Sequence, residues 1–320
     1  MFSTFKSIPV ISYTSISDKS DITKEDFRNH MRLIAQEGYT PVTAVTLHDF
    51  MCGDSSVIPE KPLVITFDAC FFDNWINVIP TLDEFGFKAV FFCVTGFLHD
   101  TPKRSKRSAI ECLTREQNFE KALCGGDFSG FMSRQEIYET VHEFGHEVYS
   151  ASVTYPMIFR SSSATGTYPN KKHWCFKSVC NVIQEGDKVY DVGSALAYNG
   201  YTIKDGKPVL RGMDERAKLC RYELEESKKE LEYILARPCG FLSWPCGQYD
   251  RLSVSILEES GYKGAFTFDR GANAKHTDVR IIKRIRVKGD KPISWLKRRL
   301  SMYSNSISAS LFGRKFKLKI

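Results

Sequence analysis

Residues 63–70 read Leu-Val-Ile-Thr-Phe-Asp-Ala-Cys and set a lone carboxylate at the end of an apolar run. Leu63 to Phe67 have the branched and aromatic character of a strand buried on both faces. Asp68 then falls at the carboxyl end of that strand, where parallel β/α folds collect reactive side chains. An aspartate so placed can take a proton from a water or a hydroxyl. Ala69 and Cys70 follow it and bring no second carboxylate.

Three further strand ends carry polar or aromatic residues: Ser12-Tyr13-Thr14, Ser150-Ala151-Ser152-Val153-Thr154-Tyr155-Pro156 and Ser243-Trp244-Pro245-Cys246-Gly247-Gln248-Tyr249. Trp244, Tyr249 and Tyr155 offer flat faces that can stack on a sugar ring, although an aromatic there is as readily a core residue. Cys70 and Cys246 also fall at such ends. A cysteine nucleophile needs a histidine or cation beside it to form the thiolate, and no histidine adjoins either in sequence. His173-Trp174-Cys175 and Cys180 place three soft ligands within eight residues. Their spacing fits no zinc pattern and lacks an evident fourth ligand, so buried thiols are the simpler reading.

The elements that must position these ends alternate along the chain. Strands are expected at 8–13, 63–67, 89–96, 146–152, 241–245 and 264–268. Helices are expected at 24–39, 75–86, 133–145, 221–235 and 252–261, with Gly38 and Gly86 as stops and Ser133 as a cap. This rhythm predicts an α/β fold, a parallel sheet covered by helices, open or closed. Residues 157–215 are rich in Ser, Gly, Tyr and Asn, break the rhythm and read as an irregular inserted lobe.

Length and composition are those of an ordinary globular chain: 320 residues, 42% hydrophobic and 26% charged. The opening residues lack an apolar core of secretory length. No run of about eighteen apolar residues is present either, so the expectation is a cytoplasmic protein. Ten scattered cysteines fit a reducing compartment. The net charge of +7 is unevenly placed. Residues 280–320 hold thirteen Lys and Arg against Asp290 alone, leaving the remainder near −5. Such a tail suits solvent or peripheral contact with an inner membrane face, through Lys297, Arg298, Arg299 and Lys315. No nucleic-acid module accompanies it, and nucleic acid is not expected as a partner.

Taken together, these segments resemble the polysaccharide deacetylase family, with its NodB-homology domain of the carbohydrate esterase family 4 type. The resemblance runs in order through IPVISYTSISD, FRNHMRLIAQEGYTPVT, PLVITFDACFFDNW, FMSRQEIYETVHEFGHEVYSASVTYP, FLSWPCGQYD, GYKGAFTFDRGANA and KRIRV, covering roughly residues 8–287. It implies a distorted (β/α) barrel with insertions at about 100–130 and 157–215, in a domain over 1–290, followed by a basic tail over 291–320. It also implies hydrolysis of an N-acetyl group on a sugar, with a divalent metal held by one Asp and two His. The family's T-F-D-D-G reads Thr66-Phe67-Asp68-Ala69-Cys70 here, keeping the base at Asp68 and putting Ala69 at the ligand position. The family's S-H-T-x-T-H-P reads Ser150 to Pro156, with Ala151 and Tyr155 at the two ligand positions. The Tyr-His pair of many members is Tyr13-Thr14. Arg284 matches an arginine that supports the base, although packing of the last strand is an equal reading.

Three lost ligands leave almost no first coordination shell, so no cofactor is expected, and zinc only if a site is rebuilt. Cys70, Asp73 and His146 are the candidates for rebuilding. The simpler readings are Cys70 filling space, Asp73 capping the next helix and His146 bonding at a strand start. Three functions stay open: a pseudoenzyme that binds carbohydrate or a partner, an active carbon–nitrogen hydrolase with a rebuilt or metal-free mechanism, and a scaffold in surface-polysaccharide assembly. The expected partner is a carbohydrate or glycan precursor.

Overall fold

A computed structural model describes residues 5–54, 57–105, 111–170, 173–180 and 183–315. Its centre is a nearly closed barrel of parallel strands: β1 (Val10–Tyr13), β2 (Pro62–Ala69), β3 (Val90–Cys93), β4 (Glu147–Ser150), β5 (Phe241–Ser243), β6 (Gly264–Thr267), β7 (Ile282–Lys283) and β8 (Ile285–Arg286). The strand order is β7-β6-β5-β4-β3-β2-β1-β8, with the short Thr40–Pro41 strand beside β2. β7 and β8 are separated by Arg284 alone. The chain leaves β6 at Thr267↔Lys283 and joins β1 at Ile11↔Ile285, so one segment closes the barrel.

Strand alternation decides what faces the barrel interior. Tyr13, Phe67 and Phe91 form a stacked ladder across β1, β2 and β3, with centroids 5.4 and 5.0 Å apart. Tyr13 and Phe67 also meet Phe27 of the helix Lys24–Gln36 edge-on, at 5.2 and 5.7 Å. The alternate residues, Ser12, Thr66 and Asp68, turn the other way and converge on Arg284. Both faces are buried, which is why these strands read as nearly continuous apolar runs.

Helix starts follow their capping residues. Thr23, Thr114, Ser133 and Asp250 each close a capping box, accepting from the third helical N–H while that residue's side chain accepts in return. The helix after β2 opens as a π-turn over Asn74–Val78 and becomes α-helical at Ile79, next to Pro80, which lacks an N–H. Helices at Ala44–Cys52 and Arg115–Gly125 were not among the expected elements. The expected helix at 221–235 begins earlier, at Met213.

The inserted lobe has regular pieces within it. An antiparallel sheet joins Met157–Phe159, Val192–Ser194, Tyr201–Lys204 and Lys207–Leu210, and Gly166–Thr167 pairs with Lys188–Val189. Its strands are two to four residues long, too short for an alternation to show. Its helix Trp174–Val179 packs against Arg115–Gly125, so the two insertions meet.

The basic segment after Lys291 is also structured. Helix Ile293–Tyr303 buries Leu296, Leu300 and Tyr303 and packs on Lys24–Gln36; Ala309 is buried in the helix that follows. Lys297 pairs with Glu37 at 2.6 Å, and Arg299 lies 4.2 Å from the Phe312 ring. Both charges therefore serve this packing in part. The side chain of Lys315 lies outside the described residues. Among the described residues no helix is long and apolar enough to cross a membrane.

Candidate functional site

The strand carboxyl ends open into a cleft of about 160 Å³. Thr14, Asp68, Ala69, Tyr155 and Cys246 come from the barrel, and Phe268 and Arg286 from its last turns. Arg115 and Phe119 come from the first insertion, and His173, Trp174 and Cys175 from the second. The two insertions thus roof the same opening, through Trp174 stacked on Phe119 at 3.9 Å.

Asp68 forms the floor. Its Oδ1 accepts from Arg284 Nη1 at 2.8 Å and from Ser243 Oγ at 2.9 Å, and its Oδ2 accepts from Ser12 Oγ at 3.3 Å. Arg284 is held in turn, donating from Nη2 to Ser243 Oγ at 2.8 Å and from Nε to the Thr267 carbonyl at 3.2 Å. Its side chain is fully buried, so the charge pair is built into the barrel. A carboxylate fixed in this way can accept a hydroxyl or amide N–H of a bound molecule at a defined place. Asp68 is legible in the sequence and Arg284 through the family resemblance; Ser12 and Ser243 stand in two of the strand-end runs, but a serine there carries no sign that it bonds Asp68.

The backbone around the cleft is unusual. Ala69, Cys70, Ser152, Tyr155 and Cys246 all have positive φ, at 75°, 49°, 76°, 54° and 57°. Non-glycine residues avoid this region, and such strain collects at functional sites. Cys70 occupies the position at which the resemblance places a glycine, and its φ explains why glycine suits that position. Gly247 has φ of 70°, and a Cβ there would lie 2.6 Å from the Phe268 backbone nitrogen. The turn after β5 thus needs a glycine to approach the segment that carries Phe268.

The loop after β4 is held from outside the barrel. Glu223, on the long helix Met213–Leu235, accepts from the Val153 and Thr154 N–H groups at 2.8 and 2.9 Å and from the Thr154 hydroxyl. Burial raises its pKa. A glutamate within a charged helix gives no sequence sign of this task.

Tyr155 points into the cleft, where its hydroxyl accepts the Cys246 N–H at 2.8 Å. Burial, with Cys246 and Asp68 adding to it, pushes the phenol well up from its ordinary range, so it stays neutral. Ala151 is wholly buried, and Ala69 brings a methyl group to the cleft wall. Ala69 and Ala151 carry no donor atom, and a neutral phenol at Tyr155 is a poor ligand for a divalent metal. Among the described residues no three His, Cys, Asp or Glu side chains converge in a way that could hold one.

The candidates for a rebuilt site are dispersed. His146 stands at the start of β4, roughly 13 Å along the strand from the cleft mouth by strand rise. There it accepts the Ala89 N–H at 3.2 Å, as the simpler reading expected. Asp73 turns to Ser15 and Asn74 and lines a separate cavity with Cys112. It makes no cap bond to the following helix, contrary to expectation, because these two donors engage its carboxylate. Cys70 is buried, and burial followed by Cys93 raises its thiol well above the usual range.

Cys246 and Cys175 line the cleft, but burial raises both thiols as well, so none of the three is set up as a thiolate. His173 is held neutral by burial and by Arg115, and its Nδ1 accepts the Cys175 N–H. Cys180 packs with the lobe's own apolar cluster.

The aromatic candidates divide. Tyr155 lines the cleft. Trp244 is wholly buried, donates its indole N–H to the Arg280 carbonyl at 3.3 Å and has no face open to a sugar. Tyr249 lies outside the cleft lining and donates to Asp269 at 2.5 Å. Trp174, which lines the cleft with Tyr155, Phe119 and Phe268, lies in the lobe, and the sequence marks it only as part of a thiol cluster.

The chain is thus a parallel (β/α) barrel with a cleft at its strand carboxyl ends and a buried acid–arginine pair at the cleft floor. A family model described as polysaccharide deacetylase matches residues 56–182. YxkH, a polysaccharide deacetylase homologue of Bacillus subtilis (strain 168), is 30% identical over 285 residues, 88% of this chain and 71% of that protein. The chain belongs to the polysaccharide deacetylase family. Among solved structures, a de-N-acetylase from Aggregatibacter actinomycetemcomitans aligns over 91% of this chain and 99% of its own, with a TM-score of 0.65 and 16% identity. The Streptococcus pyogenes deacetylase PplD aligns over 93% and 99%, with a TM-score of 0.62 and 14% identity. Both share the fold.

Proposed function

We propose that this protein is a carbohydrate-binding member of the family that has lost metal-dependent N-deacetylation. The observation that carries this reading is the donor set. The positions that hold metal in the family's motifs are Ala69, Ala151 and Tyr155, and the Tyr155 hydroxyl is already engaged by the Cys246 N–H. The alternative, a carbon–nitrogen hydrolase with a rebuilt metal site, lacks a convergent set of ligands among the described residues.

Binding keeps its support. The cleft retains an ordered acceptor in Asp68, polar and aromatic walls, and two insertions that enclose a ligand from above. Asp68 would receive a sugar hydroxyl or amide N–H, and Trp174 and Tyr155 would line the ring's apolar face.

The test is elemental analysis of untagged protein after dialysis against trace zinc, with acetate release measured from N-acetylated chito-oligosaccharides. The expected result is far less than one zinc per chain and no acetate. Near-stoichiometric zinc, lost in Cys70→Ser and Asp68→Asn together with acetate release, overturns the reading.

A further inference from the structure

The cleft contains two arginines that the family's hydrolytic motifs do not supply, Arg115 and Arg286. They are placed differently. Arg115 follows the helix cap Thr114 and is paired with Glu116 at 2.7 Å. Arg286 ends β8, is exposed, and lies 4.0 Å from the Phe268 ring. Among the described residues it has no carboxylate partner.

The other charges in the cleft cancel. Asp68 is matched by Arg284 beneath it. The phenol of Tyr155 and the thiols of Cys175 and Cys246 are protonated, and His173 is neutral. With Glu116 set against Arg115, one positive charge remains, and it sits on Arg286. Its guanidinium is held against a ring that also lies 4.3 Å from Arg284. This packing orients Arg286 at little entropic cost to a ligand.

We propose that the cleft takes an anionic glycan, one whose sugar carries a carboxylate or a phosphate, with Arg286 as the residue that selects the charge and Arg115 as a weaker second cation. This rests on the reading of the cleft as a carbohydrate site. A planar guanidinium suits both groups, since each presents paired oxygens.

The experiment is titration calorimetry on the full chain with three probes: chitotetraose, which is neutral; a hyaluronan tetrasaccharide, which carries carboxylates; and N-acetylglucosamine 6-phosphate. At least one charged probe is expected to bind about tenfold or more tightly than chitotetraose, as charge-assisted hydrogen bonds imply. The stronger of the two charged probes identifies the anionic group. Arg286→Gln abolishes the preference and Arg286→Lys keeps part of it. Arg115→Gln costs less, because Glu116 already offsets that charge. Arg298→Gln, on the distant C-terminal helix, leaves binding unchanged. Equal binding of all three probes, or equal losses in Arg298→Gln and Arg286→Gln, overturns the charge selection and leaves the carbohydrate reading standing. No binding of any probe by folded protein overturns both.

Discussion

Asp68 and Arg284 meet at 2.8 Å across β1, with the arginine side chain fully buried and the Ser12 and Ser243 hydroxyls completing the cluster. Removing one partner leaves the other charged and buried. Arg284→Met is therefore expected to destabilise the protein by about 3–5 kcal/mol in urea unfolding. The double variant with Asp68→Asn should lose much less than the sum of the two single losses. Additive losses would show that the pair is not coupled.

Tyr155 makes a second separable prediction. Tyr155→Phe leaves the Cys246 N–H without its acceptor, at a cost of about 1–3 kcal/mol, measured by the same unfolding. Zinc content should not change. Gain of zinc on removing the hydroxyl would mean that the phenol was blocking a usable site.

The two tryptophans of the site segments should differ in their effect on binding. Trp174 lines the cleft and Trp244 is wholly buried. Trp174 is itself only 8% exposed and stacked on Phe119, so Trp174→Phe should weaken sugar binding and also cost some stability, less than truncation of Trp244 does. Trp244→Ala should lose about 3–5 kcal/mol of stability, as large core truncations do. A ligand-induced fluorescence change that survives Trp174→Phe and disappears in Trp244→Phe would reverse this assignment.

Asp73 gives a pH dependence of known sign. Burial raises its carboxyl to about 6, against hydrogen bonds from Ser15 and Asn74. Between the ordinary aspartate range and about 6, the folded state binds more protons than the unfolded state. Stability from this group is therefore greatest below that window and falls as pH rises through it. Asp73→Asn should remove this slope and stabilise the protein at pH 7.5 relative to pH 4.5 by about 2 kcal/mol compared with wild type. Parallel stability–pH curves for the two proteins would refute it.

Residue patterning makes the parallel α/β sheet legible, and the family resemblance of the same segments implies its closure into a barrel. Buried parallel strands must be apolar on both faces, so LVITF, AVFFCV and FLS announce themselves, and an acid at such an end has a placed role. That Ala69 and Ala151 bring no donor atom is legible as well, since it is a matter of residue type. Which aromatic side chains line the cleft is set by packing and not by residue type. Trp244 and Trp174 look alike as residues, and their exposure depends on how the strand turn and the lobe pack. The same holds for Glu223, Ser12, Ser243 and Arg286, whose partners lie between 41 and 272 residues away or on a ring set by the barrel's closing segment. Local sequence records the strand and helix periods. It does not record which insertion roofs which opening, because that depends on long-range packing between segments whose own patterns are weak.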